Sequence, residues 1–183
     1  NIPISNQLFW TITQCLANPD SYNYFCNLRI KLVKILPKNT YKLFQNGYDF
    51  TFNMVQLASN SGNNLVQNLV KHFKSYTFDN TGFYLPINFN KSFQSIDINK
   101  ICTIDSKTKP IILPCKYEED NIFNIMLKKE DIRKEELIMK IIKLMDFFLK
   151  KEEDLDLFVT IYNILPISNE YGYIEFVQDS TTL

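Results

Sequence analysis

Apolar residues recur every three or four positions through the first part of the chain and change to alternation later. After Ser5, a residue suited to a helix N-cap, Leu8, Phe9, Ile12 and Leu16 keep helical spacing until Asn18-Pro19 closes the run. Phe25, Leu28, Leu32 and Leu36 form one stripe and predict a second helix from Tyr22 to a stop at Pro37. A third helix is predicted over 40–57, with Gly47 weakening it. A fourth follows Ser59-Asn60-Ser61-Gly62, with Leu65, Val66, Leu69, Val70 and Phe73 inward. Successive antiparallel helices of this length suggest stacked helical repeats, although no fixed period is visible.

From Thr77 the pattern changes, and Asp79-Asn80-Thr81-Gly82 is a turn cluster. Strands are predicted over 101–104, 110–117 and 122–128, one long helix over 130–151, and two more strands over 154–164 and 171–178. The expected fold is α+β: a helical-repeat segment over 1–80, then over 81–183 a small five-stranded antiparallel sheet with one long helix. Phe123, Ile125 and Leu127 share one face of their strand, which puts Lys128 on the other face with Met126. In the long helix, Ile138, Ile141, Ile142, Met145, Phe148 and Leu149 form a stripe expected to face the sheet.

Composition narrows the function classes. With 45% hydrophobic and 22% charged residues, the 183-residue chain can bury a core. The formal net charge is zero, so no overall field draws it to nucleic acid, which is not expected as a partner. No apolar run reaches the roughly 18 residues of a membrane-spanning helix. Cys15, Cys26, Cys102 and Cys115 form no C-x-x-C pair, and His72 is far from all of them in sequence, so a metal site is not expected. All four are expected to be reduced, mostly buried thiols of a cytoplasmic protein, with His72 an ordinary helix residue. The chain starts at Asn1 rather than Met and is expected to be part of a longer protein.

Four ordered blocks carry a family resemblance, and a stretch near the start of the chain agrees with them. Ile125-Met126-Leu127-Lys128-Lys129-Glu130-Asp131-Ile132-Arg133-Lys134-Glu135-Glu136-Leu137 resembles the F-K-x-G-D-D-L-R-Q-D-x-L signature of phosphoinositide 3-kinases. Ile104-Asp105-Ser106-Lys107-Thr108-Lys109-Pro110 is similar to the phosphate-binding loop M-D-S-K-x-K-P of class I members. Leu155-Asp156-Leu157 with Tyr162 resembles L-D-L-x-x-x-P-Y, and the run from Gly172 to Thr182 resembles the family's hinge strand. Leu8-Phe9-Trp10 and Asn18-Pro19 resemble the L-F-W…N-P stretch that closes the family's helical domain. Departures are present: the turn glycine after the lysine is missing, Ile161 stands for the proline, and Ile112 stands for the tryptophan two residues after the loop.

The resemblance implies the end of a helical accessory domain followed by the N-terminal lobe of a lipid kinase using ATP and Mg2+. The catalytic base, the Mg2+ ligands and the activation loop are then expected in a C-terminal lobe after Leu183, since no D-R-H-x-x-N or D-F-G occurs here. The implied substrate is a phosphoinositide at a membrane surface, phosphorylated at the 3-hydroxyl by a cytoplasmic enzyme recruited there. A regulatory subunit or a small GTPase are the implied partners. A non-catalytic pseudokinase or helical scaffold is the rival reading; a type III or 4-kinase relative is the rival within the enzyme class.

The implied ATP-binding residues each have a physical reading. Lys128, at a strand end, can set one point charge on a nucleotide phosphate, and Lys129 is the alternative if the motif slips by one. Glu135 precedes Ile138 and Ile142 on the apolar side and is the carboxylate expected to meet Lys128. Glu136 precedes Lys140 and Lys143 on the solvated side. Ser106 and Lys107 occupy a turn between strands that can hold phosphate oxygens. Glu175 and Val177 are expected to offer main-chain groups of an edge strand to adenine, with Ile174 and Phe176 packing on the alternate face. Tyr162 corresponds to the family's pocket tyrosine.

Overall fold

A computed structural model of the chain describes residues 2–60, 64–75, 82–118 and 121–178. Ser61-Gly62, the turn residues Asp79-Asn80-Thr81 and the terminal Asp179-Ser180-Thr181-Thr182 lie outside the described residues. Contacts divide the chain into two compact units, Asn1–Ile98 with Cys115–Ile122, and Asn99–Pro114 with Phe123–Leu183. The class is the expected one: a helical segment, then an antiparallel sheet with a long helix.

The first unit holds α1 (Ile2–Cys15), α2 (Tyr22–Ile35), α3 (Lys38–Asn60), α4 (Leu65–Ser75), β1 (Phe83–Leu85), β2 (Asn88–Phe93) and β3 (Ser95–Ile96). α1 begins three residues before Ser5, which therefore lies inside the helix and is no cap. Beyond it, Asn18 accepts the Asp20 N–H at 3.1 Å and Pro19 opens a 3-10 turn, so the stop falls where expected. α3 supplies the centre of the core with Phe44, Phe50 and Met54. The Phe50 ring stacks on Phe83 at 4.8 Å and on Phe73 at 5.9 Å, and Phe44 meets Tyr84 edge-on at 6.1 Å. Gly47 is needed here, because a Cβ at that position would collide with the Tyr84 carbonyl oxygen. Its cost to the helix is the condition for β1 lying against α3. β1 and β2, paired antiparallel through Phe83↔Phe93 and Tyr84↔Ser92, had no predicted counterpart. β3 pairs with Lys116 and Cys115.

The second unit contains β4 (Cys102–Thr103), most of β5 (Ile111–Tyr117) and β6 (Asn121–Lys128), then α5 (Arg133–Glu152), β7 (Ile164–Pro166) and β8 (Gly172–Glu175). Its strands run in the order β4-β5-β6-β8-β7. The predicted strand over 154–164 is corrected: only β7 is strand, and 154–163 has no regular structure. Asp154 and Phe158 hold φ of 50° and 53°, which an extended run cannot contain. The Asp156 carboxylate fixes the break by accepting the Phe158 N–H at 2.8 Å. That bond, ahead of the Lys150 ammonium at 3.2 Å, holds Asp156 below its ordinary carboxylate range. Lys150 also takes Asp146 at 2.9 Å, so the end of α5 is tied to the segment that follows.

The expected inward stripe of α5 is a second correction. Ile138, Ile141, Met145 and Phe148 are exposed, and the half-buried positions are Glu135, Glu136, Met139, Ile142, Asp146 and Leu149. Among the described residues no helix is long and apolar enough to cross a membrane. All four cysteines are free thiols, but only Cys115 is buried, and Cys102 is exposed.

Candidate active site

β6 follows its alternation: Phe123, Ile125 and Leu127 are buried, while Met126 and Lys128 are half-buried on the other face. Antiparallel register sets Lys128 opposite Gly172 and Met126 opposite Ile174. The same rungs continue to Pro166 and Ile164 on β7. Directly opposed residues share a face, so Met126, Ile164 and Ile174 form an apolar surface beside the Lys128 ammonium.

Lys128 meets two carboxylates. Glu130, in the turn directly after β6, makes the closer ion pair, and Glu135 stands 3.8 Å away. Glu130 was not singled out from the sequence; an acid two residues beyond a strand-end lysine was the available signal. Glu136 pairs with Lys140 at 2.7 Å as expected for i,i+4 spacing. The expected exposure order is reversed, however: Glu135 is 42% exposed and Glu136 only 27%.

The reason lies at Ile132, which is completely buried and fills the space left by Gly172; a Cβ there would strike its Cδ1 and Cγ1. Counting from Ile132 at helical spacing gives 135/136, 139, 142, 146 and 149, which is the half-buried face. The anchoring of Ile132 thus fixes how α5 is rotated and where Glu135 stands. Asp131 steadies the same end: its carboxylate accepts the Arg133 main-chain N–H at 3.1 Å and Nε at 2.8 Å. The Arg133 guanidinium, then its main-chain N–H, lowers the Asp131 carboxyl to about 2.

The other expected residues fall as follows. Ser106 and Lys107 are exposed in the turn over 105–108 between β4 and β5; the turn is closed by Lys109 N–H to the Ser106 carbonyl at 3.1 Å. The three residues joining β5 to β6 put the start of β5 at the same end of the sheet as Lys128. Lys129 is exposed, with its ammonium 6.0 Å from the Tyr171 ring centre.

β8 is not an edge strand, contrary to expectation, because β7 pairs along its outer side. Ile174 is buried, Phe176 and Val177 are half-buried, and the Phe176 N–H donates to the Asn124 carbonyl at 3.0 Å. Glu175 is tied to Asn163, another residue the sequence did not point to. Its N–H donates to the Asn163 carbonyl at 2.8 Å, while its Oε2 accepts the Asn163 N–H at 3.0 Å and Nδ2 at 2.7 Å. Tyr162 precedes this residue and is half-buried. The arrangement offers one cation held between carboxylates, an apolar surface beside it, and a main-chain segment leaving the sheet.

Residues 122–183 match the model of the phosphatidylinositol 3- and 4-kinase family. The chain is 31% identical over 115 residues to the phosphatidylinositol 3-kinase pik3 of Schizosaccharomyces pombe, covering 62% of this chain and 14% of that protein. It is 38% identical over 81 residues to the serine/threonine-protein kinase MEC1 of Candida glabrata, covering 43% and 3%. MEC1 of Kluyveromyces lactis is 33% identical over 82 residues, covering 43% and 4%. The chain thus spans a small part of the length of these relatives. The part of the chain that carries most of β6, with α5, β7 and β8, is thus similar to the phosphatidylinositol 3- and 4-kinase family.

Proposed function

We propose that this segment holds ATP in a kinase that phosphorylates the inositol ring of a membrane phosphoinositide at the 3-hydroxyl. The supporting observation is Lys128, half-buried at the end of β6 within the matched segment, at the end of the sheet where β5 begins after the turn that carries Ser106 and Lys107. The 62% of the chain aligned with a protein named as a phosphatidylinositol 3-kinase favours the lipid substrate. The Asp105-Ser106-Lys107 loop favours a class I-like enzyme.

Phosphoryl transfer depends mostly on positioning and on charge placed where it develops. Lys128 would exchange the Glu130 contact for a phosphate oxygen, while Glu135 keeps the ammonium aimed. Ser106 and Lys107 would meet the outer phosphates. Met126, Ile164 and Ile174 would pack the base, with the main chain of Glu175 and Val177 along its polar edge and Tyr162 beside it. Family members generally use ATP with Mg2+. Among the described residues no group of three His, Cys, Asp or Glu could hold a metal ion. A lipid substrate entails recruitment from the cytoplasm to a membrane surface, where a regulatory subunit or small GTPase would act.

A protein substrate is the second reading, favoured by the 38% identity to MEC1. The test is the intact kinase that carries this chain, assayed on phosphatidylinositol vesicles and on a protein substrate. Lys128→Met should lower lipid phosphorylation at least about a hundredfold with the melting temperature retained. Lys129→Met should stay near wild type. Full activity in Lys128→Met overturns the assignment of the lysine, and transfer to protein alone overturns the lipid substrate.

A further inference from the structure

We infer that Asn163 is a positioning residue for the adenine-binding edge, acting through the carboxylate of Glu175; this rests on the proposed ATP site. Three hydrogen bonds join these two residues, which are twelve apart in sequence. One is the main-chain bond from the Glu175 N–H to the Asn163 carbonyl. The other two converge on a single oxygen, Oε2 of Glu175, from the Asn163 N–H and Nδ2 at 3.0 and 2.7 Å. Bonds to an ionised acceptor are stronger than neutral ones, so the clamp holds although it is exposed.

Its location gives it a function. The β6–β8 and β7–β8 ladders extend only to Glu175 and Ile174, respectively. Beyond Glu175 the chain leaves the sheet, and there the proposed adenine edge begins. On one side, Phe176 is tied to Asn124 of β6. On the other, β7 starts at Ile164, and Asn163 just before it is the residue that meets the β8 end at Glu175. This residue ends a ten-residue irregular segment and has no ladder of its own to hold it. The clamp therefore aligns the exit of β8 with the base-packing surface of Ile164 and Ile174. Loosening it leaves Lys128 and the phosphates untouched and should weaken adenine binding without slowing transfer.

The test uses steady-state kinetics of the intact kinase with ATP and GTP. Asn163→Ala is expected to raise KM for ATP about threefold to tenfold, with kcat within about twofold and the ATP-over-GTP preference reduced. Asn163→Asp, which sets two carboxylates against each other, should raise KM further. Adding Glu175→Gln to Asn163→Asp restores a donor facing an acceptor and should bring KM back towards wild type. A double variant no better than Asn163→Asp overturns the inference, as does an Asn163→Ala whose KM is unchanged or whose loss lies only in kcat or melting temperature. Wild-type ATP dependence and its loss in Lys128→Met are measured alongside, so failure of the ATP site itself is seen separately.

Discussion

α3 and α5 are the two longest helices, 23 and 20 residues, and they stand in opposite relation to water. α3 buries Phe44, Gly47, Phe50, Thr51, Met54 and Ala58, and its rings meet those of β1 and α4. α5 buries no residue at all and turns Ile138, Met145 and Phe148 outward. α3 is held along its length by apolar contact. α5 packs through a half-buried face and is fixed at its ends: Ile132 against Gly172 before it, and Lys150 bridging Asp146 and Asp156 behind it. A helix held in this way can orient a candidate site residue such as Glu135 without contributing much to the core.

This difference predicts unequal responses to the same change. Phe50→Ala should cost about 3–5 kcal/mol, the range for removing a fully packed aromatic. Phe148→Ala, half exposed on α5, should change stability by no more than about 0.5 kcal/mol. Denaturant unfolding of the two variants checks this, and similar losses would mean that α5 is buried as deeply as α3.

Gly172→Ala probes the end anchor. The added methyl group must displace Ile132, and overpacking of this kind costs about 1–3 kcal/mol. Because Ile132 sets the rotation of α5, KM for ATP should rise as well. Ile132→Val on the Gly172→Ala background should recover part of both losses, whereas no recovery would place the strain elsewhere.

How far the sequence anticipated this can be judged at the same residues. β6 was legible because hydrophobic alternation marks a strand with one buried face, and Lys128 fell on the expected side; β5 was legible as a short apolar run, buried at its first five positions. The half-buried stripe of α2 was legible for the equivalent helical reason. The orientation of α5 was not, because its strongest apolar stripe faces water and its rotation depends on one gap opposite Ile132. Such a gap comes from register between distant strands and leaves no local pattern. Glu130 and Asn163 were missed for a related cause: both act through residues brought near by a turn or a rung. β1 and β2 were hidden because Gly47, read as a helix weakness, is the place where β1 comes close.

The smallest expected effect is electrostatic. The Asp131 carboxyl, ordinarily 3.8, is lowered to about 2 by Arg133. A depressed carboxylate contributes its stabilisation fully above the ordinary value and loses it as pH falls through the lowered one. Its contribution to the start of α5 should therefore be intact at pH 5 and fade only towards pH 2, by analogy with other paired carboxylates. A carboxyl NMR titration should place the midpoint near 2 in the native chain and closer to 3.8 in Arg133→Ala. An unchanged midpoint in the variant would assign the shift to another group.

The free cysteines give the chain a built-in chemical contrast. Cys102 on β4 is open to solvent, whereas burial pushes the Cys115 thiol of β5 up and keeps it from forming the reactive thiolate. An alkylating reagent therefore meets one sulfur that is always accessible and another that is accessible only when β5 parts from its neighbours. The ratio of the two adducts is a clock for the opening of the sheet, read by mass without any introduced label.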